Sequence, residues 1–231
     1  MSVVAKLLCF GLSASTLGSA GSSNPNYCVD QNRRKIVQTV YPVNEVKVLN
    51  KIRTKDKVVF ITIDDGVTVS DDLAKFIEKK LLPITTFALA GELWRNRDWF
   101  TQRANMTFEN HTNTHAHMTL IEPEQQIFEI CRASQVIKNV TGERPVFFRP
   151  PGGSWNEEVR ESVGRSGIKY LLLWNVQIYR GSTSMAGRTS LRPGDIILLH
   201  YTPSLKNDLK ILLAMIKTAG LRPALLRDYL H

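Results

Sequence analysis

Apolar positions along the chain gather into short runs separated by stretches of helical character. Val58-Val59-Phe60-Ile61 is an unbroken apolar run of strand length, which predicts a buried strand. Asp71 to Lys80 follows as a helix with Ser70 at its N-cap. Ile84 to Ala90 predicts a second strand and Met106 to Glu109 a short third one. Pro123 opens a long amphipathic helix that runs to about Asn139 and is closed by Gly142. Val146-Phe147-Phe148 is a strand, and Asn156 to Ser166 a helix ended by Gly167. Lys169 to Trp174 and Ile196 to Leu199 are two more strands, Leu205 to Ala219 is a helix, and Ala224-Leu225-Leu226 closes the sheet.

About seven strands alternating with helices predict an α/β architecture with a parallel sheet. Right-handed crossovers leave an open doubly wound sheet or a barrel. The body from Lys55 onward is shorter than the roughly 200 residues of the smallest eight-fold barrels, so an irregular or incomplete (β/α) barrel is expected. Residues 55–231 are read as one catalytic domain and 27–54 as an N-terminal segment before it.

Composition narrows the class without choosing a function. With 43% hydrophobic and 22% charged residues in 231, the chain has the usage of a globular protein. No run approaches the ~18 apolar residues of a membrane span. The net charge of +9 favours polyanionic neighbours, yet no zinc-finger spacing, RNP-like segment or helix-turn-helix signature accompanies it, so specific nucleic-acid binding is not expected. Residues 1–26 combine Lys6, the apolar stretch Leu7 to Leu12 and the small-residue site Gly18-Ser19-Ala20, which reads as a signal peptide leading into a flexible Gly/Ser linker. The expected location is secreted or cell-wall associated. Cleavage near Ala20 would leave Cys28 and Cys131, a pair that an oxidising compartment could bridge; two buried free thiols are the alternative.

The polar residues that need explaining sit where the strands end. Asp64-Asp65-Gly66 follows the first strand, His111-Thr112-Asn113-Thr114-His115 the third, Arg149-Pro150-Pro151-Gly152-Gly153 the fourth, and His200 ends the sixth. The C-terminal strand ends of α/β sheets and barrels share one face, where ligands bind. Adjacent carboxylates at 64 and 65 alternate in direction, so a metal could take one while the other stays free as a base; an Asp-Gly turn is the plainer explanation. His111 and His115 have the His-x-x-x-His spacing that offers two imidazoles to one metal, and with one Asp they make a catalytic rather than a structural set. His117 does not fit that spacing, and Asp71 and Asp72 are expected to serve only the first turn of their helix.

Thr-Ile-Asp-Asp-Gly, His-Thr-Asn-Thr-His, Arg-Pro-Pro-Gly-Gly and the strand ending Leu198-Leu199-His200 together resemble the motif series of the polysaccharide deacetylases, the NodB-homology family of metal-dependent carbohydrate esterases. The resemblance covers about residues 55–230. It implies a zinc-like divalent ion held by Asp65, His111 and His115, with Asp64 as general base and Arg149 pairing with it. It also implies His200 as the acid that protonates the leaving amine, and a backbone N–H at Gly152 for the oxyanion. The implied substrate is an acetylated polysaccharide, most often a polymer of N-acetylglucosamine.

Two positions depart from the pattern. Gly152 stands where the family commonly has Tyr, and the segment Asn175 to Gly181 lacks the Asp that partners the acid histidine, with Arg180 aligned to that place. A carbohydrate-binding pseudoenzyme is the competing reading, opposed by the intact Asp64 and ligand set. Trp94, Trp99, Trp155 and Trp174 are candidates for sugar stacking or for core packing.

Overall fold

The structure, a computed structural model, describes residues 27–29, 35–37 and 39–230. The segment read as a signal peptide and linker lies outside the described residues. Two short strands, β1 (Tyr27–Val29) and β2 (Lys35–Val37), pair antiparallel with each other, apart from the main sheet. The chain continues through β3 (Lys47–Leu49), β4 (Val58–Asp65), α1 (Asp71–Lys79), β5 (Ile84–Ala88), α2 (Ala90–Arg95), α3 (Arg97–Thr101) and β6 (Met106–Asn110). Then come α4 (Pro123–Thr141), β7 (Phe147–Phe148), α5 (Glu157–Arg165), β8 (Tyr170–Leu172), β9 (Val176–Tyr179) and β10 (Ser182–Met185). The last elements are β11 (Ile196–His200), α6 (Leu205–Thr218) and β12 (Arg222–Ala224).

The main sheet has ten strands in the order β10-β9-β11-β4-β5-β6-β7-β8-β3, with β12 pairing to β4 off that path. Every ladder is parallel except β9–β10. The sheet curls without closing, so the expected incomplete (β/α) barrel is what the chain forms. Ile52 donates its N–H to Gly194 O (2.8 Å) and Lys51 bridges Asp195, which draws the chain after β3 toward the start of β11.

The main sheet has ten strands where about seven were expected. The three added ones, β3, β9 and β10, are short and carry polar residues such as Lys47, Gln177, Ser182 and Ser184, so their strand state comes from the neighbours they pair with. The closing strand also sits two residues earlier than predicted, at Arg222–Ala224, and Leu226 belongs to a 3₁₀ turn.

Alternation along β4 divides the core. Val59, Ile61 and Ile63 face outward against Leu73 and Ile77 of α1 and Leu209 and Leu212 of α6. Val58 and Phe60 face the concave interior with Phe87, Phe147, Leu172 and Ile196. A third cluster joins Ile130 of α4 to Val159 and Val163 of α5. The expected caps hold at Ser70, whose Oγ accepts from Leu73 N–H, and at Gly142, which ends α4 at φ 81°; Asn156, read as the first residue of its helix, is instead the N-cap of α5, its Oδ1 accepting from Val159 N–H.

Cys28 and Cys131 are joined by a disulfide, with Cα atoms 5.4 Å apart and a sequence separation of 103. It ties β1 to α4. By chain entropy, a loop of that length stabilises the fold by up to about 4.7 kcal/mol.

The segment before β3 is held on α5 by close approach. Tyr41 N–H donates to Gly164 O (3.1 Å), and a Cβ on Gly164 would stand 2.2 Å from Tyr41 O. Gly164→Ala is therefore expected to lose about 3 kcal/mol in urea denaturation through overpacking. Gly91→Ala in α2, where a Cβ meets nothing within 4 Å, is expected to be neutral or to gain up to about 1 kcal/mol.

Candidate active site

The period of two in β4 carries Thr62 and Asp64 onto the concave face behind Phe60, so Asp64 points into the interior with its side chain only 3% exposed. Arg149, just after β7, is fully buried and meets it there. Its Nη1 donates to Asp64 Oδ1 (2.7 Å) and to Thr62 Oγ1 (2.8 Å), its Nε to Leu172 O (3.2 Å) and its Nη2 to Leu173 O (3.3 Å). Its guanidinium lies 4.0 Å from the Phe87 ring centre. Burial pushes the Arg149 guanidinium down from its usual range, and the Asp64 carboxylate opposes that. The pair can be buried only because each charge has the other.

Asp65 adopts φ 80°, a left-handed conformation uncommon outside glycine, and Gly66 follows at φ 101°. The backbone swings its carboxylate toward two imidazoles. Asp65 Oδ1 lies 3.6 Å from His111 Nε2 and 3.7 Å from His115 Nε2, and one ligand atom from each of the three residues falls within 4.8 Å of the others. That Oδ1 is buried with no hydrogen-bond partner, an expensive state for a carboxylate oxygen unless a cation or proton faces it.

His111 Nδ1 lies 2.8 Å from Arg149 O, so the network assigns the proton to Nδ1 and leaves the Nε2 lone pair turned to Asp65. Burial pushes the His111 imidazole toward its neutral form, against the pull of Asp64 and Asp65. Two imidazoles and one carboxylate with an unpartnered oxygen fit one divalent ion with open coordination positions.

The His-x-x-x-His spacing works through a tight loop, with Thr112 at φ 74° and His115 at φ 64°. Asn110 Oδ1 accepts from Thr112 N–H (2.9 Å), and Thr112 Oγ1 from His115 N–H (3.0 Å). Glu129, buried on α4, takes the N–H groups of Asn113 (3.0 Å) and Thr114 (2.8 Å) on one oxygen and the Thr114 hydroxyl (3.0 Å) on the other. Sequence reasoning passed over Glu129. Its signal was a carboxylate on the buried stripe of α4 beside Ile130, Ala133 and Ile137.

His200 ends β11 in register with Asp64, and its Nδ1 is buried without a partner. The alignment of Arg180 to the missing family Asp is corrected by the sheet: Tyr179, not Arg180, faces His200, with ring centres 5.5 Å apart. The cause is a hairpin, because Tyr179 pairs with Ser182 and leaves Arg180 and Gly181 in the turn. Gly152 is exposed at φ 63°, with nothing within 4 Å of where a Cβ would stand. Its neighbour Gly153 has the Trp174 ring at 2.9 Å from such an atom, so Trp174 is a packed wall of the site.

Of the other tryptophans, Trp99 donates to Ser70 O and packs on Phe100, Trp155 packs against the α4–α5 cluster, and Trp94 is 55% exposed. His117 stays outside the Asp65–His111–His115 cluster, and Asp72 in the first turn of α1 pairs with Lys206.

Comparison with known proteins agrees with this arrangement. The polysaccharide deacetylase family profile matches residues 51–171. An uncharacterized protein of Streptomyces coelicolor is 30% identical over 196 residues, 79% of this chain and 77% of that protein. A chitooligosaccharide deacetylase of Bradyrhizobium is 25% identical over 158 residues, 63% of this chain and 72% of that one. Among solved structures, a family 4 carbohydrate esterase from Streptomyces lividans in complex with acetate superposes with a TM-score of 0.59 at 26% identity, covering 71% of this chain and 88% of that chain.

Glu129 gives a direct check on the loop geometry. Glu129→Ala leaves two loop amides unpaired and is expected to lower stability by about 2 kcal/mol in urea denaturation. Divalent-ion affinity, read by competition with a chromogenic chelator, is expected to fall about 10- to 100-fold, as for other residues that orient ligands from behind.

Proposed function

Because the chain belongs to the polysaccharide deacetylase family, we propose that it removes acetyl groups from an N-acetylglucosamine-containing cell-wall polysaccharide with a divalent ion, zinc, held by Asp65, His111 and His115. Family membership makes it a hydrolase of carbon–nitrogen bonds other than peptide bonds. The chitooligosaccharide deacetylase relative supports the choice of an N-acetylated sugar. The observation that carries the mechanism is the buried Asp64–Arg149 pair at 2.7 Å, set beside the Asp65–His111–His115 cluster.

A divalent ion bound to that cluster supplies a polarised acetyl carbonyl and a water whose pKa is lowered toward neutrality. Arg149 occupies Asp64 Oδ1 and fixes the carboxylate in place, while Oδ2 faces the cluster, 3.7 Å from His111 Nε2. Asp64 Oδ2 is thus the atom that takes a proton from the attacking water. The Gly152 N–H serves the developing oxyanion; glycine supplies the donor there without the family's side-chain wall. His200, one strand over and in register with Asp64, gives a proton to the departing nitrogen as the carbon–nitrogen bond breaks. Acetate and a free amine leave. The same whole set of base, pairing arginine and ligand residues weighs against a pseudoenzyme.

The reading extends to export. A disulfide between Cys28 and Cys131 belongs to an oxidising compartment, and the +9 charge suits binding to anionic wall polymer. Binding to isolated wall material is expected to weaken as salt rises, since exposed charges are screened beyond about 8 Å at physiological ionic strength. Salt-independent binding would remove the electrostatic part of this reading.

Acetate release from an N-acetylglucosamine oligomer, with and without chelator and after zinc restoration, tests the activity. Asp64→Asn is expected to keep zinc and lose about 100-fold or more in kcat, as for removal of a general base. His115→Ala is expected to lose both zinc and turnover. Near-wild-type turnover in Asp64→Asn would overturn the base assignment, and metal-independent release the ligand assignment.

A further inference from the structure

The hairpin β9–β10 stands where the acid histidine's partner was expected, and its construction gives it a function. Ile197 and Leu198 of β11 pair in parallel with Val176 and Gln177 of β9, which sets Tyr179 opposite His200. His200 itself is opposite Asp64 of β4. Paired residues of neighbouring strands share a face, so Asp64, His200 and Tyr179 form one row across three strands.

Within that row the His200 ring has no polar anchor at Nδ1. Its orienting contact is the Tyr179 ring, edge to face at 5.5 Å and 78°. The Arg180 guanidinium also lies over the Tyr179 ring, 5.2 Å from its centre.

Tyr179 is held in turn. Tyr179 and Ser182 close a two-residue turn with Arg180 at φ 49° and Gly181 at φ 82°, the pair of left-handed positions that such hairpins need. Arginine is a poor occupant of the first of them. Asp208 of α6, 2% exposed, answers that cost: its oxygens accept from Arg180 N–H (3.2 Å), Gly181 N–H (2.7 Å) and the Ser204 hydroxyl (2.8 Å). A buried carboxylate with no place in the proposed chemistry is thereby tied to the turn one residue beyond Tyr179.

We infer that Tyr179 is a positioning residue for His200, its ring doing by packing what a carboxylate would do by hydrogen bonding, and that Asp208 fixes the hairpin that presents it. The inference rests on His200 being the acid of the proposed deacetylation. An acid matters only when the leaving group must be protonated. An amine must, whereas 4-nitrophenolate departs from 4-nitrophenyl acetate as an anion.

The test measures kcat and KM on an N-acetylglucosamine oligomer and on 4-nitrophenyl acetate for the zinc-loaded full chain. Tyr179→Ala is expected to lower kcat on the oligomer about tenfold or more, the scale of a misplaced catalytic group, with KM and the aryl acetate rate changed by less than about twofold. Tyr179→Phe is expected to restore the wild-type kcat, because the ring and not the hydroxyl does the positioning. Asp208→Asn is expected to repeat the substrate pattern of Tyr179→Ala in weaker form. His200→Ala is expected to lose about 100-fold or more on the oligomer, and adding Tyr179→Ala to it should cost nothing further.

Equal losses on both substrates, a silent Tyr179→Ala, or full additivity with His200→Ala would overturn the positioning role while leaving the acid in place. If His200→Ala itself spares the oligomer or damages both substrates alike, the acid assignment falls, and the role of Tyr179 with it.

Discussion

A carboxylate and a guanidinium share the buried interior of the curled sheet, and the site is organised around that contact. Isolated, either charge would be too costly to bury. Together, Asp64 and Arg149 satisfy each other at 2.7 Å, and three of the other four guanidinium N–H groups donate to Thr62 and to the carbonyls of Leu172 and Leu173. One side chain therefore joins β4, β7 and the end of β8. Its own carbonyl accepts from His111 Nδ1–H, so the same residue that pairs with Asp64 also sets the tautomer of His111. The proposed base and one proposed metal ligand share one support.

Around this pair the backbone gives up regular geometry where function needs it. Asp65, Thr112, His115 and Arg180 all adopt left-handed conformations, at φ 80°, 74°, 64° and 49°. Such residues persist only when their surroundings over-determine them. Three of the four have visible holders: Asn110 and Glu129 fix the loop from Thr112 to His115, and Asp208 fixes the turn at Arg180. Buried acids that carry no chemistry themselves thus hold the segments that do. The disulfide from Cys28 reaches Cys131 on α4, two residues from Glu129, so the N-terminal arm is fastened to the helix behind the candidate metal loop.

Most of the strands and helices were legible because their signals are local. The apolar runs at Val58–Ile61 and Ile196–Leu199, the cap Ser70, and Gly142 after α4 each state an element without help from distant residues. The strand-end rule then brought Asp64, Asp65, His111, His115, Arg149 and His200 to one rim although they span more than half the chain. The hairpin was not legible. Val176-Gln177-Ile178-Tyr179 reads as an irregular tail of the preceding strand, and Ser182-Thr183-Ser184-Met185 has little of its own to declare a strand.

The sequence by itself determined the periodicity, the caps and which chemical groups stand at strand ends, since these depend on neighbours a few residues away. Tertiary structure decided what those groups meet. Glu129 is 15 residues from Thr114, and Asp208 is 28 from Arg180, and neither spacing announces a contact. Tyr179 became the neighbour of His200 only through the register of β9 on β11. Pairing register and helix docking are set by the burial of whole faces, a property of the assembled core that no local window of residues contains.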